Sequence, residues 1–274
     1  IGPFYKFPPI IAKYLLSRCH IYTRDPNCYQ YLTEVLKFEN VKESRDLAFL
    51  NLPNQENQIH HIRLLRQYKL DKDQYVTLIP SGLSRCYTDD RTAYVGSWVK
   101  VIKRLLSQSE SSNKIVLLAH VLRPAADDDR AVINEITHYL SVDEKERVVE
   151  ITGELLPYEA RIIIGNGIYT ISGRMHGAVS SFQMGKPAVS LSYGAKYAGV
   201  IGKGLNMERL IIESTISGWN NGTISKEVLN KIEYIIKNYH ELKEQIAYQI
   251  KASQKMAINQ INDIVNRIAE VSND

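Results

Sequence analysis

From Tyr75 onward the chain alternates between short, continuous apolar runs and longer stretches whose apolar residues recur at helical spacing. Y-V-T-L-I-P (75–80), K-I-V-L-L-A-H (114–120), R-V-V-E-I-T (147–152), I-Y-T-I-S (168–172) and A-V-S-L-S (188–192) have the length and β-branched content of buried strands. Helical patterns lie between them. One covers about 94–106, and a second runs from Asp127-Asp128-Asp129, whose carboxylates suit a helix start, to about Leu140. A third opens at Pro157 with Gly165 as its stop; others run from Arg174 to about Gly185 and, briefly, from Lys196. Strands apolar on both faces, alternating with helices, predict a parallel sheet covered on both sides. Sheets of this kind take ligands outside the carboxyl ends of their strands. Ser81-Gly82, His120, Gly173 to Gly177 and Tyr193 to Lys196 all fall at such ends.

The first 74 residues follow a different plan. They suit a helix over 10–19, a strand end over 21–25, a helix over 27–37 and a further strand in S-R-D-L-A-F-L (44–50). Residues 51–74, with Pro53, Asn54, Gln55 and Asn57, read as a linker carrying a short helix at about 59–67. Residues 224–270 are helical, with apolar positions at Val228, Ile232, Ile235, Ile236, Tyr239, Leu242, Ile246 and Ile250. The expected organisation is α/β with two Rossmann-like domains. Residues 1–58 would be an incomplete N-terminal one, 59–223 the C-terminal one, and 224–274 helices free to pack back on the first. The chain opens on Ile1-Gly2-Pro3-Phe4 and reads as though entered partway through a domain.

Composition narrows the function classes. The chain has 274 residues, 44% of them hydrophobic, enough for a sizeable core. Net charge is +4 with no dense Lys/Arg stripe, which argues for an anionic small molecule over nucleic acid. Cys19, Cys28 and Cys86 are scattered without zinc spacing, and reduced thiols in a cytosolic setting are the simplest reading. No apolar run approaches the roughly 18 residues of a membrane span.

The chemistry concentrates in I-S-G-R-M-H-G (171–177) and S-Y-G-A-K-Y-A-G (192–199). Arg174 offers a planar fork for carboxylate or phosphate, and His176 a proton donor or acceptor near neutral pH. Both are placed in the first turn of a helix, where free N–H groups favour an anion, and the flanking glycines permit close backbone approach. The competing reading makes Arg174 a surface ion pair and His176 a hydrogen-bonded structural side chain. Lys196 is either a second cation of the same crevice or a solvated helix-start lysine. Arg24, in T-R-D, follows a strand and either contacts the ligand or pairs with Asp25. His120 and Ser81 end strands, and Arg85 lies in the loop after Ser81. The run of aspartates fits a capped helix start better than a metal site, since no histidine or cysteine stands at ligand spacing.

R-M-H resembles the R-L-H signature of the polysaccharide pyruvyltransferase family, and G-K-P-A-V-S-L-S-Y-G-A-K resembles the segment that follows it there. I-G-P-F, T-R-D and L-L-A-H-V with D-D-D resemble further landmarks in the same order, over about residues 1–212. The resemblance implies a fold like the two-domain GT-B glycosyltransferases, with the site in the cleft between domains. It also implies transfer of the carboxyvinyl group of phosphoenolpyruvate to a sugar or lipid-linked glycan, without a cofactor, in the cytoplasm or peripheral to the membrane. By resemblance Arg174, His176 and Arg24 contact phosphoenolpyruvate, Lys196 helps place the acceptor, and Tyr193 is substrate-binding. Met175 replaces the usual leucine at a substrate-binding position, a change that matters little if the position contributes its backbone. The family also has a glycine-rich stretch ahead of I-G-P-F that this chain does not show. The rival expectations are a GT-B enzyme using a nucleotide-sugar donor and a non-catalytic glycan-binding relative.

Overall fold

The structure is a computed structural model that describes residues 9–108, 113–123, 127–214 and 216–271; the I-G-P-F landmark lies outside them. Helix α1 (Pro9–Leu16) leads to β1 (Ile21–Thr23), α2 (Pro26–Gln30), a π-helical turn over Tyr31–Val35, and β2 (Val41–Glu43). β1 and β2 pair in parallel, with Ile21 opposite Val41. Asp25 starts α2 by accepting the Cys28 N–H at 2.8 Å, and Pro26 takes the first helical position, where its missing N–H costs nothing.

The strand expected over 44–50 is not formed. Ser44 still bonds its N–H to the Thr23 carbonyl at 3.1 Å, and the chain then closes into a 3₁₀ turn, Leu47–Phe49, because the Asp46 carboxylate accepts the Ala48 N–H at 3.0 Å. An aspartate that satisfies a backbone N–H two residues ahead folds the chain into a turn. Helix α3 (Gln58–Gln67) follows and leads into the main sheet.

The remaining elements are β3 (Tyr75–Ile79), a 3₁₀ turn at Ser84–Cys86, α4 (Arg91–Gln108), β4 (Lys114–Leu118), α5 (Asp129–His138), α6 (Val142–Glu146), β5 (Val148–Ile151), α7 (Pro157–Asn166), β6 (Thr170–Ser172), α8 (Met175–Gln183), β7 (Ala188–Ser192), a π-helical turn (Ala198–Lys203), a 3₁₀ turn (Glu208–Leu210), β8 (Ile211–Glu213), α9 (Ile216–Asn220), α10 (Thr223–Lys237) and α11 (Tyr239–Val271). β3 to β8 form a six-stranded parallel sheet in the order β5-β4-β3-β6-β7-β8. Successive strands run outward from β3 to one edge, then return to its other side, so the order reverses between β3 and β6. That reversal is the switch point where doubly wound sheets open a crevice.

Side chains alternate across each strand, and both faces are buried. Leu78, Ile115, Leu117, Ile171 and Leu191 join Trp98 and Ile102 of α4 and Ile232 of α10 in one core. Tyr75, Ile79, Val116 and Leu118 join Ile163 and Ile164 of α7 in another. Helix α7 does not stop at Gly165 as its glycine suggested. It continues to Asn166, and a Cβ at Gly165 would run into the Met184 side chain, so this glycine serves helix packing. Helix α6 carries a capping box, Ser141 with Glu144, between two elements that the apolar pattern marked.

Helix α11 touches the first part of the chain. Asp263 binds Tyr22 and, at 2.9 Å, Lys42, while Gln254 donates to the Phe49 carbonyl at 3.1 Å. Arg161 of α7 reaches the same 47–50 turn from the other side and donates to the carbonyls of Ala48 and, at 2.7 Å, Leu50. Its contacts are to carbonyl and amide oxygens, and burial lowers its pKa to about 10.

Candidate functional site

The carboxyl ends of β3, β4 and β6 are drawn together by one carboxylate. Asp129, fully buried at the start of α5, accepts the Gly82 N–H at 2.6 Å, the His120 N–H at 3.0 Å and the Val121 N–H at 2.8 Å. Its Oδ1 also accepts two bonds from Arg174, from Nε at 3.1 Å and Nη2 at 2.6 Å. Arg174 donates further to the Asp127 carbonyl at 2.8 Å. Burial opposes the guanidinium charge, and the Asp129 partner more than offsets it, raising the arginine pKa. The aspartate run is thus a capped helix start, with Asp128 accepting the Arg130 N–H at 2.9 Å, and also a junction that the sequence did not reveal.

Arg174 is therefore neither a surface ion pair nor a free anion fork. It sits at the N-cap of α8, which begins at Met175, one residue later than the pattern suggested; Arg174 is in extended conformation, and Ser172 Oγ accepts its N–H at 3.1 Å. The flanking glycines are also spoken for. A Cβ at Gly173 would lie 3.1 Å from Ser81 Cβ, and one at Gly177 would lie 2.6 Å from Ser172 Oγ, so they let α8 approach β3 and not a ligand. Met175 is buried in the core, leaving its backbone as its contribution to the crevice. The N–H groups of Met175 and His176 at the first turn of α8 have no acceptor among the described residues. Such groups at a helix N-terminus attract anions.

His176 points outward, its side chain 50% exposed, and Nε2 stands 3.5 Å from Asp46 Oδ2. Asp46 belongs to the 3₁₀ turn read above as a strand, which is why the sequence missed it. Burial pushes its pKa up, but hydrogen bonds from His176 and the Ala48 N–H, with the charges of His176 and Arg24, hold it below the usual carboxylate value. Arg24 is close enough to act on Asp46, and its own partner, Asp25, is 3.7 Å away. Asp25 is itself engaged by Cys28 and packs under Gly199, so T-R-D supplies one anchored carboxylate and one exposed cation.

Lys196 donates to the Tyr193 hydroxyl at 2.7 Å and lies 4.5 Å from the centre of that ring. Tyr193 stacks edge-on against Tyr87 and Tyr197, which both bind the Gly173 carbonyl. These two buried tyrosines connect the β7 loop to the Arg174 turn; their spacing in the sequence carries no signal of it. His120 keeps part of its surface open to solvent, yet burial lowers its pKa to about 4, with the Asp129 charge opposing. Ser81 is fully buried, its hydroxyl accepting the Leu83 N–H at 3.2 Å and its backbone held by Tyr94, so it shapes the turn and offers no free group. Arg85 is exposed, with no hydrogen bond or ion pair among the described residues.

The structure thus groups Arg24, Asp46, His120, Arg174, His176, Tyr193 and Lys196 around the carboxyl side of the sheet. Two solved structures share the architecture. The UDP-GlcNAc 2-epimerase of Neisseria meningitidis superposes with a TM-score of 0.62 at 10% identity, over 97% of this chain and 67% of that one. MnaA of S. aureus, solved with UDP, gives 0.61 at 12% identity, over 98% and 66%. With the trehalose-phosphate synthase of Burkholderia vietnamiensis, at 0.55 and 8% identity over 96% and 65%, they establish a GT-B-like fold. In sequence, the amylovoran biosynthesis protein AmsJ of Erwinia amylovora is 28% identical over 141 residues, covering 52% of this chain and 32% of AmsJ. The chain therefore matches about a third of that relative's length. The polysaccharide pyruvyl transferase model matches residues 3–195, taking in every grouped residue except Lys196, which follows immediately. By that match the chain belongs to the polysaccharide pyruvyl transferase family.

Proposed function

We propose that the protein transfers the carboxyvinyl group of phosphoenolpyruvate to two hydroxyls of one sugar, in a polysaccharide or its lipid-linked precursor, forming a pyruvate ketal. The observation that supports this best is the first turn of α8. It combines two N–H groups that have no acceptor among the described residues with a half-exposed histidine, and Arg24, a half-exposed cation whose ion pair with Asp25 is long at 3.7 Å, acts on the same Asp46 carboxylate. Phosphoenolpyruvate carries a carboxylate and a phosphate, and a helix N-terminus with Arg24 suits both. Arg174, committed to Asp129, holds the turn in place and adds an Nη1 that makes no hydrogen bond among the described residues.

In this reading His176, as imidazolium, gives a proton to the methylene carbon of phosphoenolpyruvate. A sugar hydroxyl oxygen bonds to the neighbouring carbon, and its proton passes to the imidazole. Phosphate leaves with the carbon–oxygen bond, and the second hydroxyl closes the ketal, releasing its proton. Asp46, 3.5 Å from Nε2, orients the ring. The steps as written use no cofactor. Supply of phosphoenolpyruvate assigns the activity to the cytoplasm, peripheral to the membrane where lipid-linked glycans are assembled; among the described residues no helix is long and apolar enough to cross it.

Calorimetric titration with phosphoenolpyruvate, with a nucleotide sugar as the parallel titrant, tests the donor. Arg24→Ala should abolish or strongly weaken saturable binding. His176→Ala should bind within a few-fold of the parent and transfer at least about a hundredfold more slowly. Full transfer by His176→Ala would remove the acid/base role. A nucleotide sugar that binds where phosphoenolpyruvate does not would replace the donor.

A further inference from the structure

The carboxyl ends of β7 and β8 enclose a second concavity, which the chemistry above leaves unused. Its volume is about 540 Å³, and Ser192, Tyr193, Ala198, Glu208, Glu213 and Ser214 line it. That size falls within the roughly 300–1,000 Å³ of small-molecule sites. Glu208 and Glu213 are exposed and form no ion pair among the described residues. The Ser214 hydroxyl is shielded from solvent and has no partner among the described residues, whereas Ser192 is occupied with the backbone of Gly194. Polar groups left without partners in a concave wall are satisfied when a ligand or water arrives.

The lining selects among ligands. Two unpaired carboxylates repel a phosphate or carboxylate, so this cavity cannot duplicate the anionic subsite at α8. Among the described residues no three side chains are grouped to hold a metal ion. What carboxylates accept well, in an open site, is a pair of neighbouring hydroxyls, and Tyr193 adds an aromatic side chain to the wall against which a sugar ring can rest. Tyr193 also ties the cavity to the site, since its hydroxyl takes the Lys196 proton bond and its ring rests on Tyr87, which holds Gly173. Glu208, Glu213 and Ser214 lie beyond residue 195, where the family match ends.

We propose that this cavity is a sugar-binding subsite, in which Glu208, Glu213 and Ser214 hold the hydroxyls of a neutral glycan ring against Tyr193. Its role as the acceptor subsite rests on the transfer reading above; its binding chemistry does not. Saturation-transfer NMR of this chain with a panel of neutral methyl hexopyranosides tests it, with phosphoenolpyruvate and uridine diphosphate titrated separately, in the parent, Glu208→Gln and Glu213→Gln. Both substitutions are exposed and isosteric, so the fold is retained, which circular dichroism checks. At least one glycoside should bind, and its affinity should fall about tenfold or more in Glu213→Gln with loss of a charged hydrogen bond. Phosphoenolpyruvate binding should be the same in all three proteins. Absence of glycoside binding, or binding that neither variant weakens, overturns the proposal. So does uridine diphosphate binding that the two variants weaken in its place. Carboxylate-dependent glycoside binding without phosphoenolpyruvate binding keeps this subsite and rejects the transfer reading. Phosphoenolpyruvate binding without glycoside binding does the reverse.

Discussion

Arg174 and His176 stand two residues apart on one turn and have opposite surroundings. The arginine is buried, with three hydrogen bonds to the 127–129 segment, and its partner Asp129 collects backbone N–H groups from the ends of two strands. The histidine is half open to solvent and meets a single carboxylate at 3.5 Å, from a separate part of the chain. Two residues of one motif thus do different work. One assembles the carboxyl end of the sheet, and the other is left open to solvent beside Asp46. A substitution at either could silence activity, so activity alone cannot separate them.

Stability can. Asp129→Ala leaves a buried guanidinium without its counter-charge and strips an acceptor from three N–H groups. It should cost about 3–5 kcal/mol, read from urea denaturation. His176→Ala should cost under about 0.5 kcal/mol by the same measurement, as an exposed substitution does. Equal losses would erase the contrast.

The next effect belongs to His120, beside that junction. Its folded pKa of about 4 lies below the roughly 6.5 of an unfolded histidine, so the unfolded chain binds more protons between these values. Stability is then full above about pH 6.5 and falls as pH drops toward 4. The loss should be about 1–3 kcal/mol, seen as a falling Tm that His120→Gln flattens.

Asp46→Asn sharpens the other half of the comparison. Removing the charge should slow transfer about tenfold while changing stability by under about 0.5 kcal/mol, because the asparagine oxygen can still accept the Ala48 N–H. An unchanged transfer rate would separate Asp46 from the histidine. The smallest effect is expected of Arg85→Ala, within about 0.5 kcal/mol in stability, and without change in phosphoenolpyruvate binding. A larger change would return Arg85 to the site.

The main sheet was legible because its strands are apolar on both faces and its helices are not, a contrast that β3 with α4 and β7 with α8 show plainly. The crevice was legible from where those strands end. The exceptions have physical causes. β8 is three residues long, too short for its pattern to stand out. The 44–50 segment ends in a short apolar run, L-A-F-L, that suits a strand, but Asp46 finds a local N–H and turns the chain. In the R-M-H motif the identity of the residues was informative and the division of labour was not. Whether an arginine faces ligand or aspartate is decided by a carboxylate 45 positions away.

Arg161 bears on modularity. Its hydrogen bonds to Ala48 and Leu50 make the short turn that carries Asp46 an appendage of the larger sheet's helix layer, although by sequence it belongs to the first part of the chain. A chimera joined ahead of Ser44 would retain the carboxylate opposite His176 whatever scaffold preceded it. One joined after Leu50 would replace that carboxylate with a stranger's residue. The seam for exchanging the first part of this chain therefore lies at Ser44, upstream of the linker that composition marks.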